Sequence, residues 1–322
     1  MERAGTVAEL WRFPVKSMAG ERLERADVTA GGVVGDRLWA VRDEQLGCIT
    51  GGKRLPALMT CTARFLAEPP ADAFGDAVPP VAITLPDGTE LSSEQPDIDA
   101  RLSAFLGRAV SLCPRRPAGE RRHYRAARFT MADLRTQFAL APGETVPDFS
   151  MFPVSMLLAL SRYATPPGTY FDAYPLHVLT TATVAELRRL APAVSAEPLS
   201  FRPNILVAVD GAGLVENGWC GGSLRAGAMR ADIEIPAVRC SMTTRAQPGL
   251  AADPGLLRAV AQHARRCAGV YARVASAGQV RIGDAVLVER ARDSRVGGLV
   301  QAGARSLRRL ALRARAAALP EK

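Results

Sequence analysis

A single cysteine, Cys240, stands between an arginine and a set of hydroxyl residues in "PAVRCSMTTRAQPG", where an apolar strand pattern runs into a Pro-Gly turn. An adjacent cation, here Arg239, favours the thiolate, the form that binds metal or attacks an electrophile. Thr243 and Thr244 add hydroxyl donors close by. No histidine is near in sequence and no second cysteine accompanies it, which speaks against a thiol protease or a disulfide-exchange enzyme. A thiolate that is the one protein ligand to a metal carried by a cofactor needs neither partner.

Three further places set cations beside hydrogen-bonding groups. In "FPVKSMAG" a strand pattern ends at Pro14, and Lys16 with Ser17 can hold an anion, one by charge and one by hydrogen bond; the alternative is a solubilising surface lysine. In "VVGDRLW", Asp36 can brace Arg37 above Trp39, either for a ligand or as a structural ion pair. In "SFRPNILV", the fork of Arg202 and the amide of Asn204 suit a phosphate or the polar edge of a ring, or else Asn204 locks a turn.

Other chemistries are poorly supported. The cysteines at 48, 61, 113, 220, 240 and 267 have no C-x2-C spacing, so zinc ribbons and iron–sulfur clusters are not expected, and the thiols read as reduced. His123, His177 and His263 lie outside any G-x-S-x-G or H-E-x-x-H pattern and read as surface or strand histidines. "GAGLVE" mimics a dinucleotide fingerprint, but Glu216 takes the third glycine's place, so a turn is the better reading. The net charge of +9 rests on three lysines and 38 arginines and is concentrated in the last thirty residues, with no interleaved aromatics; nucleic acid is not the expected partner. No apolar run reaches the roughly 18 residues of a membrane span, and the start lacks the apolar core of a signal peptide, so the expected location is cytoplasmic.

The elements that position these residues are mostly strands. "TVAELWRFPV", "RLERADVTA" and "RLWAVRDE" alternate apolar and polar residues, and "VAITLPDGTEL" predicts a hairpin around Pro-Asp-Gly. "DIDARLSAFLG" predicts a short helix, and residues 114–150 a basic connection with some helix. "PLHVLTTATVAELRRLAP" passes from a buried strand into a helix capped by Thr181 or Thr183, with Glu186 placed for a capping box on Thr183. "DPGLLRAVAQHARR" predicts a helix capped by Asp253 with Pro254 at its first position, and "QVRIGDAVLVE" a strand pair bent at Gly283-Asp284. The end of the chain predicts a basic amphipathic helix, solvated or docked rather than bound to membrane.

Taken in order, "FPVKSMAG", "GVVGDRLWAVRDE", "CITGGKRLPAL", "YFDAYPLHVLTTATVAEL", "SFRPNILV", "ENGW", "VRCSMTT" and "VRIGDAV" resemble the MOSC superfamily with its N-terminal β-barrel partner, the group of the mitochondrial amidoxime-reducing component and its bacterial relatives. The resemblance covers roughly residues 5 to 66 and 168 to 288. It implies a β-rich α+β fold, with an N-terminal barrel-like domain (1–125), a connection (126–150), a MOSC barrel domain (151–292) and a basic helical tail (293–322), the cofactor lying between the two domains.

The resemblance further implies a pyranopterin molybdenum cofactor with Cys240 as thiolate ligand to the metal. Lys16, Ser17, Arg37, Arg202 and Asn204 then contact the cofactor, with Arg239 and Thr243 beside the thiolate. Thr180, Thr181 and Thr183 replace serines of a family segment, and Thr181 and Thr183 are expected to contact the cofactor. In "TGGKRLP", one residue longer than the family form, either Lys53 or Arg54 takes an arginine's place. At family level it also brings pyridoxal-phosphate binding. The implied activity is reduction of small N-hydroxylated compounds. Electrons would come from a separate ferredoxin-, flavodoxin- or cytochrome b5-like donor, since no cysteine follows "VRIGDAVLVE". Two alternatives stay open: a sulfur-transfer protein with a persulfide on Cys240, and a non-catalytic cofactor carrier.

Overall fold

The alternation in the opening residues makes a strand, Glu2–Arg12, that buries Val7 and Leu10. It pairs antiparallel with Ile205–Ala208 along one edge and with Ala285–Glu289 along the other. The computed structural model describes residues 1–141 and 144–291, together with Arg309 and Leu312; the expected basic tail otherwise lies outside the described residues. Around the ring, Ile205–Ala208 is followed by Leu176–Thr180, Cys267–Ser276, Met229–Val238, Ser223–Ala226 and Ala285–Glu289, which returns to the first strand. The result is a closed seven-stranded barrel, a solution that removes free sheet edges. Val7, Leu10, Val178, Val207, Leu224 and Val270 fill its interior.

One neighbouring pair in the ring, Leu176–Thr180 with Ile205–Ala208, is parallel, and a parallel pair needs a crossover. That crossover carries the helix Thr181–Leu190 and the short helix Pro198–Phe201. Together with the helix Pro254–Ala264, the longer helix covers the barrel through Val184, Leu187, Leu256 and Val260. Asp253 caps its helix with Pro254 at the first position, as its sequence predicts. The other cap differs from expectation. Thr180, not Thr181 or Thr183, is the N-cap, its hydroxyl accepting from the Thr183 amide. Glu186 pairs with Arg189 instead of closing a capping box.

A second core forms where Trp39–Asp43 pairs with Cys48–Ile49 and Val110–Pro114, beside the meander Thr62–Phe65, Val81–Thr84 and Glu90–Ser92. The Pro-Asp-Gly hairpin and the helix Ile98–Leu106 fall where the sequence places them. The chain leaving the first strand joins the two cores through the bridges Val15–Trp39 and Ala19–Thr62, while Arg25–Thr29, paired with Gly278–Arg281, packs Ala26, Val28 and Val280 into the barrel core. The connection holds the helix Met131–Phe138, started by a capping box between Thr130 and Asp133, and is followed by the helix Val154–Leu160. Among the described residues, no helix is long and apolar enough to cross a membrane. All six cysteines are free thiols.

Candidate functional site

Where the strand Met229–Val238 ends, the backbone stays extended through Cys240 and then tightens into the 3-10 turn Ser241–Thr244. The amide and hydroxyl of Thr243 both donate to the Cys240 carbonyl, the hydroxyl at 3.0 Å, so the turn fixes the cysteine backbone. The half-buried thiol lines a cavity of about 1160 Å³ that draws its walls from both cores and the connection. Thr243 is not among those walls. Its hydroxyl is used on the turn, which corrects its assignment as a direct cofactor contact.

Facing the thiol is an ion cluster whose centre the sequence reading missed. Asp172 accepts from Lys16 Nζ at 2.5 Å and from Lys53 Nζ at 3.0 Å. Lys16 also donates to the Tyr170 carbonyl at 2.8 Å. Burial raises the Asp172 carboxyl, but the two lysines outweigh it and hold the group well below the usual carboxylate range. Burial lowers Lys53 too, yet Asp172 and then Cys240 carry it above the ordinary lysine value; the thiol and this ammonium are electrostatic neighbours. Lys16 ends lower than usual, burial being the larger effect and Asp172 the opposing one. Lys53 and Arg54 both line the cavity but differ in partner: Lys53 joins Asp172, while Arg54 reaches Asp133 on the connection helix at 3.0 Å.

Ser17 serves the same cluster indirectly. Its backbone is left-handed (φ 73°) and its hydroxyl accepts from the Gly52 amide at 2.9 Å, pinning the loop that carries Lys53. A Cβ on Gly51 would stand 2.6 Å from that hydroxyl oxygen, so the paired glycines let the loop approach this closely.

The second cationic group is built on an aromatic ring. The guanidinium groups of Arg37 and Arg202 lie 5.1 Å and 4.2 Å from the centroid of Phe13. Arg37 is braced by the buried Asp36, which also accepts from the Phe13 amide. Arg202 donates to the Met18 carbonyl at 2.6 Å and to Gln247 at 3.3 Å, and burial with the nearby Arg37 cation lowers its pKa. Asn204 lines the cavity, but its side chain stitches strands: it accepts from the His177 amide at 3.1 Å and donates to the Trp11 carbonyl at 3.4 Å.

His177, read from sequence as an ordinary strand histidine, sits behind both arginines. Its Nε2 lies 3.4 Å from Arg239 Nη1 and its Nδ1 3.4 Å from the Arg202 carbonyl. Burial first, then the Arg239 cation, holds it down to about 3, so the ring is neutral at physiological pH. Arg239 donates to the Phe201 carbonyl at 2.6 Å.

The threonines of the crossover lie elsewhere. Thr180 and Thr183 donate to one oxygen of Glu216 at 2.6 and 2.7 Å, and Thr181 accepts from the Val209 amide. None of the three lines the cavity. Their hydroxyls are consumed by the helix start and a buried carboxyl, so Thr181 and Thr183 do not join the site.

The site therefore unites Cys240, Lys16, Lys53, Arg37, Arg202 and Arg239, to which tertiary structure adds Asp172 and His177. Both missed residues stand in "YFDAYPLHV", a segment quoted for its resemblance; an acid directly ahead of a buried strand was the available signal. A barrel of this build, with one thiol held among fixed cations, defines the class. The family model of the MOSC domain matches residues 166–287, and that of the MOSC N-terminal beta barrel domain matches residues 4–102. The chain belongs to the MOSC superfamily, whose domain is of the molybdenum-cofactor-binding type.

Among solved structures, the YuaD protein from Bacillus subtilis is 12% identical over 90% of this chain and 97% of that one, with a TM-score of 0.42. YiiM from Geobacillus stearothermophilus is 19% identical over 36% of this chain and 55% of its own, with a TM-score of 0.29. No curated protein matches.

The donors lining the cavity fit a pyranopterin molybdenum group. Among the described residues, no cluster of three or more His, Cys, Asp or Glu could hold a bare metal ion, so a metal bound at Cys240 must bring other ligands with it. Arg239 Nε and Thr50 Oγ1, both on residues of the cavity wall, are buried without a partner. Buried donors of this kind normally have one.

Proposed function

We propose that the protein is a molybdenum-cofactor-dependent reductase of N-hydroxylated compounds. The observation that carries this reading is the thiol of Cys240 beside Lys53 and within a cavity walled by Lys16, Arg37, Arg202 and Arg239. The cofactor, when bound, supplies the oxygen-accepting redox chemistry; the protein supplies its binding, orientation and electrostatics. Cys240 would be the metal ligand, with Lys53 as its cationic neighbour. Arg37 and Arg202, set rigidly against Phe13, hold the cofactor phosphate by charge-assisted hydrogen bonds. Asp172 keeps two ammonium groups together at the mouth of the site and is the nearest carboxylate to the thiol's cationic neighbour. In the net reaction, two electrons and two protons convert an amidoxime to an amidine plus water. The electrons come from a separate acidic donor protein, drawn by the excess of basic residues.

Elemental analysis of protein from a cofactor-competent host, followed by reduction of benzamidoxime, tests this reading. Near-stoichiometric molybdenum with turnover, both lost in Cys240→Ala, is expected. Full activity in Cys240→Ala removes the ligand assignment. Molybdenum without turnover of any N-hydroxylated compound points to a carrier, and persulfide on Cys240 without molybdenum to sulfur transfer.

A further inference from the structure

From the cationic end of the cavity a chain of rings leads away along the wall: Tyr271 stacks on Tyr174 (5.4 Å between centroids, 17° between planes), Tyr174 meets Phe152 at 6.4 Å, Phe152 meets Phe149 at 6.0 Å, and Phe149 meets Phe138 at 5.3 Å. All five residues line the cavity. The wall begins at the reacting end, since Tyr271 lies close enough to Cys240 and Lys53 for both charges to act on its hydroxyl. It ends in the connection. Phe138, Phe149 and Phe152 belong to the stretch between the two family matches, which stop at residue 102 and resume at 166. Tyr174 and Tyr271 lie within the second match, so the wall joins the MOSC domain to the connection.

We infer that the ring-lined wall is the subsite for the body of the substrate, and that it selects compounds carrying a planar aromatic group over small aliphatic ones. The inference rests on the reductase reading for the reacting end of the molecule. A substrate whose N-hydroxy group meets the metal held at Cys240 has the ring chain leading away from that end through Tyr271, so the rest of the molecule lies along the aromatic wall. Aromatic faces and edges attract one another in offset or tilted geometry, beyond the gain from removing apolar surface from water. The cavity, about 1160 Å³, exceeds the roughly 300–1,000 Å³ of ordinary small-molecule sites, leaving room for a substrate beside a bound cofactor. Phe129, 36% exposed, also lines it at the connection.

The test measures binding of benzamidoxime and acetamidoxime, both uncharged near neutrality, by calorimetry on the full chain without reductant, so that no turnover occurs. The wild-type protein should bind benzamidoxime at least about tenfold more tightly. That ratio should fall about three- to tenfold in Phe149→Ala, the worth of one aromatic contact. Phe129→Ala, at a partly exposed position where folding is not at stake, should lower it in the same direction. A wild-type ratio near one, or a ratio unchanged in both variants at intact melting temperature, overturns the inference. Both compounds are then offered with dithionite as electron source. A binding preference with no reduction of either leaves the subsite standing and removes the reductase reading. Reduction of both compounds with no preference in binding or turnover does the reverse.

Discussion

Asp172→Asn removes one negative charge from between two ammonium groups while keeping the side chain's shape. At the 3.0 Å separation from Lys53, a unit charge pair is worth about 1.4 kcal/mol in water and about 5.5 kcal/mol at an effective dielectric of 20. The Asp172 side chain is 42% exposed, which places the interaction near the lower figure, about 1–2 kcal/mol for each lysine. The lysines recover solvation and rotamer freedom when released, so the net loss expected at pH 7 is about 1–3 kcal/mol. The variant's lysines also repel each other, and Lys16 should titrate lower still.

The pH dependence has a definite sign. The folded carboxyl is depressed, so its contribution is complete above the ordinary carboxylate value near 3.9 and is lost as pH falls below it. Urea denaturation of both proteins from pH 7 down to pH 3 reads this directly. The stability gap should be flat from pH 7 to 5 and narrow below about pH 4. A gap under about 0.5 kcal/mol at pH 7, the level of an ordinary surface substitution, would refute the reasoning.

Arg202→Ala should cost about 2–4 kcal/mol in denaturant unfolding, because it strips a buried cation from Phe13 and from the Met18 carbonyl; a loss under about 0.5 kcal/mol would show that these contacts do not hold the fold. Glu216, fully buried, is raised by burial against the two threonine hydroxyls, so the folded state holds its proton longer than the unfolded state does. Stability of the wild type should therefore fall as pH rises above the ordinary glutamate value, and Glu216→Gln should abolish that slope; parallel profiles between pH 5 and 8 would contradict it.

What the sequence determined by itself was local or carried in short ordered motifs. The Asp253-Pro254 helix start, the Pro-Asp-Gly hairpin and the Gly283-Asp284 bend are set by residues within a few positions of one another. The lone thiol after Arg239 was legible for the same reason, and the ordered motifs were enough to place the chain among MOSC proteins. Tertiary structure decided what depends on distant partners. Asp172 meets Lys16 across 156 positions, and only barrel closure brings them together. Lys53 rather than Arg54 enters the cluster because Ser17 pins the Gly51-Gly52 loop from another strand end. Thr181 and Thr183 read as cofactor contacts, but in the fold Thr183 shares with Thr180 a carboxyl 36 residues on from Thr180, and Thr181 accepts from the Val209 amide. The aromatic wall was invisible because its rings come from a helix, loops and the middle of a strand, whose periodicities share nothing. Spacing along a chain encodes which face a residue takes on its own element, whereas a site assembled by a barrel is defined by which elements become neighbours.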